Sequence, residues 1–102
     1  MTADEIRVNY TRMLSQAEEL AQCADLLRKI RTEKLESEIC EMAAAWEGDI
    51  SRMCMQKARA LAMDLEENEG KLRTDSARLQ RKAHIFYITE MQALEIAQAR
   101  GY

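Results

Sequence analysis

Residues 43–51 read AAAWEGDIS, and they place the only tryptophan, Trp46, two residues before one of three glycines, Gly48, at the midpoint of a chain of 102 residues. Glycine has no Cβ to oppose a left-handed backbone, so Gly48 is the residue best suited to leave helical geometry here. Asp49 can cap the helix that follows, with Ser51 as the nearby competitor. The stretch therefore predicts a bend at about 46–49. It separates helix one, over about 3–45, from helix two, over about 50–99.

The apolar spacing on either side supports that division. Ile6, Tyr10, Met13, Ala17, Leu20, Ala24 and Leu27 follow one another in steps of four and three, which gathers them on one helix face. The spacing then slips by one residue, and Leu35, Ile39, Met42 and Trp46 resume the seam. A long helix pair accommodates such an insertion without ending the helix. Thr2 followed by Glu5 has the form of a capping box at the start of helix one. On helix two steps of four and three again run through Cys54, Ala58, Leu61, Leu65, Asn68, Leu72, Ser76, Leu79, Ala83, Phe86, Glu90, Ala93 and Ala97. A short connection makes the two helices antiparallel neighbours. The fold class is all-α, an antiparallel helix-turn-helix hairpin in a single domain. Gly70, inside ENEG, predicts a kink or a frayed section of helix two, worth about 1 kcal/mol relative to alanine.

Two helices alone bury one stripe each. Leu14, Leu26 and Ile30 on helix one and Ile85, Ile88, Met91 and Leu94 on helix two lie beside or outside the seam. A small chain has little interior for its surface and gains stability by association. These seven residues are therefore candidate partner-facing positions. Pairing of two hairpins into a four-helix bundle dimer would cover them. Met42, Met53, Met55 and Met63 cluster near the bend, either as core filler or as adaptable contacts to a partner.

Composition narrows the function classes. The chain has 15 Lys and Arg against 18 Asp and Glu, for a net charge of -3. No basic stripe is available for phosphate, which argues against nucleic acid and anionic membranes as partners. The opening MTADEIRVNYTRM lacks the basic and then apolar regions of a secretory signal, and no apolar run approaches a transmembrane segment. Cys23, Cys40 and Cys54 are an odd number without Cys-x-x-Cys spacing, so buried free thiols are expected. A disulfide between Cys40 and Cys54 across the bend is the alternative, in an oxidising space.

Catalytic chemistry finds little support. The single histidine, His84, has no second histidine or cysteine at ligand spacing. Glu36, Glu38 and Glu41, and Asp64, Glu66, Glu67 and Glu69, read as solvated helix faces paired with Lys34 or with Lys71 and Arg73. No phosphate loop, nucleophile triad or cofactor motif is present. The expectation is a protein that is not an enzyme, with no catalytic, metal or cofactor-binding residues.

Two long amphipathic helices of similar length, with Trp46 and Gly48 forming a central Trp-x-Gly at the bend, resemble the WXG family. These are the early-secreted-antigen-like hairpins exported by type VII secretion systems of Gram-positive bacteria. The resemblance covers the whole chain. The family's export motif, Tyr-x-x-x-Asp/Glu, is altered here: Tyr87 precedes Met91 by four residues, whereas Phe86 precedes Glu90 by four. An aromatic and an acid at that spacing share a helix face. The resemblance implies an export signal at Phe86, Tyr87 and Glu90, recognised by the secretion ATPase. It also implies a homodimer, or a heterodimer with a related helical protein or the N-terminal helical domain of an LXG-type toxin. The protein would be made in the cytoplasm and secreted without a cleaved signal peptide. A non-secreted cytosolic coiled-coil adaptor or structural protein is the alternative.

Overall fold

The structure, a computed structural model, describes residues 1–45 and 48–101. Trp46, expected as the last seam residue of helix one and part of the Trp-x-Gly at the bend, lies outside the described residues. The described residues are almost entirely helical. α1 spans Ala3–Lys29, a wider π-helical turn spans Ile30–Leu35, α2 spans Glu36–Ala45 and α3 spans Asp49–Ala99. The helices form a hairpin, as the spacing predicts. The chain divides into two compact units: Met1–Ala21 with Thr74–Tyr102, and Gln22–Arg73.

In the first unit α1 begins on its expected cap. The Glu5 backbone N–H donates to Thr2 Oγ1 at 3.2 Å, and the Thr2 hydroxyl donates in turn to the Glu5 carboxylate at 3.2 Å. The Ile6 N–H reaches the Thr2 carbonyl at 3.1 Å. Ile6, Ala17 and Ala83 are buried, with Tyr10, Met13, Leu20, Leu79 and Phe86 half-buried along the same seam. Ala17 and Ala83 have no exposed surface at all. Small residues at these positions let the helices approach closely enough for the Ser76 hydroxyl to donate to the Ala17 carbonyl at 2.7 Å. That bond explains how a serine occupies a seam position: its polar atom is satisfied by the neighbouring backbone.

The second unit contains the bend. Gly48 has a φ of 104°, outside the helical range and in a region that L side chains rarely enter. Its carbonyl accepts the Arg52 N–H at 3.1 Å, so Gly48 itself, rather than Asp49 or Ser51, holds the cap position of α3. Asp49 is the first residue of the helix and pairs with Arg52 at 3.3 Å. An acid in the first turn still complements the helix dipole. Ser51 is buried instead of capping.

Several expectations are corrected. Gly70 causes no break, because α3 is continuous from Asp49 to Ala99. The seam of α3 runs through Ser51, Met55, Ala58, Ala62, Leu65, Glu69 and Leu72. Cys54, Leu61 and Asn68, expected in the seam, each stand one residue away from it and are exposed, and Leu94 rather than Ala93 turns inward. All three cysteines are free and exposed rather than buried. Cys23 precedes the buried Ala24, Cys40 follows the buried Ile39, and Cys54 precedes the half-buried Met55, so each thiol falls just off the packed stripe.

Candidate functional site

The extra residue in the first helix has a definite structural home. From Leu27 the half-buried and buried positions advance by four each time, through Arg31 and Leu35 to Ile39, where alternating steps would have used one residue fewer. The π-helical turn over Ile30–Leu35 absorbs the surplus. The Thr32 hydroxyl donates to the Arg28 carbonyl at 2.8 Å, one turn back. The consequence is an arginine in the seam.

Arg31 and Glu69 meet there, within the second unit. Arg31 donates through Nη2 to Glu69 Oε2 at 3.2 Å and through Nη1 to Glu36 Oε1 at 2.9 Å. Arg73 donates to Glu69 Oε1 at 3.3 Å and to Asp25 Oδ1 at 2.8 Å. Each oxygen of Glu69 is thus held by a different guanidinium. The Glu69 side chain is 12% exposed and that of Arg31 15%, so the pair is largely shielded. Burial pushes the Glu69 carboxyl upward, but the hydrogen bonds and charges of Arg31 and Arg73 outweigh it and hold the group below its usual value. The hydrogen bond that Arg31 donates to Glu69 raises Arg31 despite desolvation, and the one that Arg73 donates to Asp25 does the same for Arg73.

This network corrects the reading of Glu69 as a solvated carboxylate. It also replaces Lys34 by Arg31 as the partner of Glu36. Lys71 and Arg73, the cations expected to pair with this group of carboxylates, meet Glu67 and Glu69, each at 3.3 Å. A signal for Glu69 was available in the sequence, because Leu65, Glu69, Leu72 and Ser76 continue the four-three rhythm without a break. An apolar-only reading skips it. The Nε of Arg31 is buried without a partner. Removing one member of such a shielded pair leaves the other charge uncompensated.

Beside this network lies an open groove of about 520 Å³ lined by Glu36, Ile39, Cys40, Arg59, Ala62, Met63 and Glu66. Its floor is apolar and its rim carries charges of both signs. In the first unit the Tyr10 hydroxyl hydrogen-bonds His84 Nδ1 at 2.9 Å, with the two rings stacked at 5.8 Å. Tyr87 also packs on Tyr10, with ring centroids 4.7 Å apart and the planes tilted by 36°. His84 is therefore a hydrogen-bond partner between helices. Of the expected export residues, Phe86, Tyr87 and Glu90 are all half-buried, with Tyr87 engaged in this aromatic contact.

The expected partner-facing residues separate into two groups. Leu26, Ile30, Ile85 and Ile88 are exposed, whereas Leu14, Met91 and Leu94 are half-buried along the hairpin's own seam. Val8, Ile50, Leu61 and Ile96, which were not among the expected partner-facing positions, are also exposed, as are Met53 and Met63 of the methionine cluster near the bend, each more than half uncovered. The buried core is thin by comparison. Among the described residues the buried apolar side chains are Ile6, Ala17, Ala24, Ile39 and Ala83, three of them alanine.

Among the described residues no group of His, Cys, Asp and Glu gathers in a way that could hold a metal ion. No described helix is long and apolar enough to cross a membrane. Comparison with protein-family models, with curated proteins and with solved structures returns no match.

Proposed function

We propose that this chain is a partner-binding helical hairpin, a small substrate or targeting partner of a type VII secretion system. It acts by helix-helix pairing with itself or with another secreted protein such as an LXG toxin. The observation that carries this reading is the imbalance between a core built largely from alanines and the many large aliphatic side chains left in solvent. Large apolar side chains left exposed on so thin a core are candidate contacts for a partner that covers them. A hairpin buries too little to gain much stability alone, so association serves both its stability and its role. The secretion setting rests on the resemblance in hairpin architecture and on the central Trp-x-Gly.

In this proposal Phe86, Tyr87 and Glu90 contribute the signal read by the secretion ATPase. The half-buried state of all three favours a second reading, in which they serve only the hairpin seam and the chain is an adaptor that is never exported. Export of a Phe86→Leu, Glu90→Gln double variant from the native host separates the two. Both changes preserve helix-forming character and volume. The secretion reading expects a folded helical protein that fails to reach the medium. Unchanged export of the variant would remove these residues from the signal, and a wild-type chain that stays in the cytoplasm would favour the adaptor.

A further inference from the structure

The C-terminal half of α3 carries a second heptad stripe on the side away from its seam. Arg78, Arg81, Ile85, Ile88, Gln92 and Glu95 succeed one another in alternating steps of three and four. All six are exposed, and Ile85 and Ile88 are 65% and 52% uncovered. Ile96 flanks the stripe and is 54% exposed. The inward positions, Ala83, Phe86, Glu90, Leu94 and Ala97, are buried or half-buried on the opposite side. This segment, all within the first unit, is therefore two-faced, with one face used within the hairpin.

We infer that the outer stripe pairs with the same stripe of a second copy, the two α3 helices lying antiparallel. The charge order selects that arrangement. In an antiparallel pair each layer joins the two alternating heptad positions, one from each helix. Setting Ile85 against Ile88 of the second copy places Arg81 against Gln92 and Arg78 against Glu95, and each contact recurs by symmetry. The centre is aliphatic, the next layers can hydrogen-bond and the outer layers pair opposite charges. A parallel pair would instead set Arg78 on Arg78, Arg81 on Arg81 and Glu95 on Glu95, which like-charge repulsion disfavours. Arg81 and Glu95 join no ion pair among the described residues, and Arg78 holds only a loose, exposed contact to Asp75 at 3.6 Å. All three charges are thus free to serve the interface.

This inference deepens the pairing reading and rests on it, by naming the second copy as occupant of one surface. Sedimentation equilibrium of the full chain tests it, with wild type, Arg78→Glu, Glu95→Arg and the double reversal, each checked for helix content by circular dichroism. The wild type should dimerise, each single reversal should weaken association by about tenfold, and the double reversal should restore it to within about twofold. Ile88→Ser, on an exposed surface, should weaken dimerisation with helix content unchanged. A wild-type chain that is monomeric at every concentration overturns the inference. So does association only with a different protein, although the pairing reading then stands. A dimer indifferent to both the reversals and Ile88→Ser assigns the interface to another surface and overturns it too. Single reversals that weaken the dimer without rescue by the double overturn the antiparallel register.

Discussion

Two glycines of this chain should respond to the same substitution with opposite signs. Gly70 lies within the continuous helix α3, its φ is not positive, and a Cβ built there meets nothing within 4 Å. Alanine at that position loses less backbone freedom on folding and shields the helix backbone, so Gly70→Ala should stabilise by about 0.5–1 kcal/mol. For a chain of this size that corresponds to a rise in melting temperature of about 2–5 °C. Gly48 also has open space around its missing Cβ, but its φ of 104° is one that alanine adopts only under strain. Gly48→Ala should cost about 1–3 kcal/mol through backbone conformation alone. Both variants can be read from urea and thermal unfolding by far-ultraviolet circular dichroism, at one fixed protein concentration because association would shift the midpoint. A neutral or destabilising Gly70→Ala would refute the unbroken helix through ENEG. A stabilising Gly48→Ala would refute the placement of the bend.

Further outcomes follow from the seam and its ion pairs. The folded chain holds Glu69 below its usual carboxyl value, so over the acid range the unfolded chain binds more protons. The stabilisation is complete above the unfolded value and is lost as pH falls through the folded one. Glu69→Gln should therefore be less stable than wild type at neutral pH, and its urea midpoint should fall less steeply on acidification; identical pH profiles would dismiss the network's role. Ala83 has no exposed surface whereas Ala93 is exposed. Ala83→Leu should cost about 1–3 kcal/mol by overpacking, while Ala93→Leu should stay within about 0.5 kcal/mol, and equal costs in chemical denaturation would contradict the observed register.

The hairpin itself was legible because long helices repeat their signal many times. Ile6 through Leu27 all fall on the observed seam, and Gly48 does what an absent Cβ permits. Ser76 and Glu90 were placed in the seam, but the ion pair inside it escaped. Arg31 and Glu69 occupy seam positions that an apolar count passes over, and only the approach of the two helices shows that each satisfies the other. Skipping Glu69 in favour of Asn68 shifted the reading of α3 by one residue at several positions, which misplaced Cys54 and Leu61. The slip after Leu27 was visible, but its conversion into a π-helical turn depends on what faces it. Exposure of Ile85 and Ile88 followed from their spacing. The half-burial of Leu14, Met91 and Leu94 did not, since residues at the edge of a stripe are assigned by the neighbouring helix.

The central claim is that this hairpin works by covering its outer apolar side chains with another helical chain. Native mass spectrometry of the protein isolated gently from its own host tests that claim most directly, because it weighs whatever assembly the chain forms and identifies each member. The account predicts a species heavier than the 11.8 kDa of one chain, either two copies or one copy with a helical partner. A lone 11.8 kDa species, persisting on concentration and with no companion protein, would contradict it.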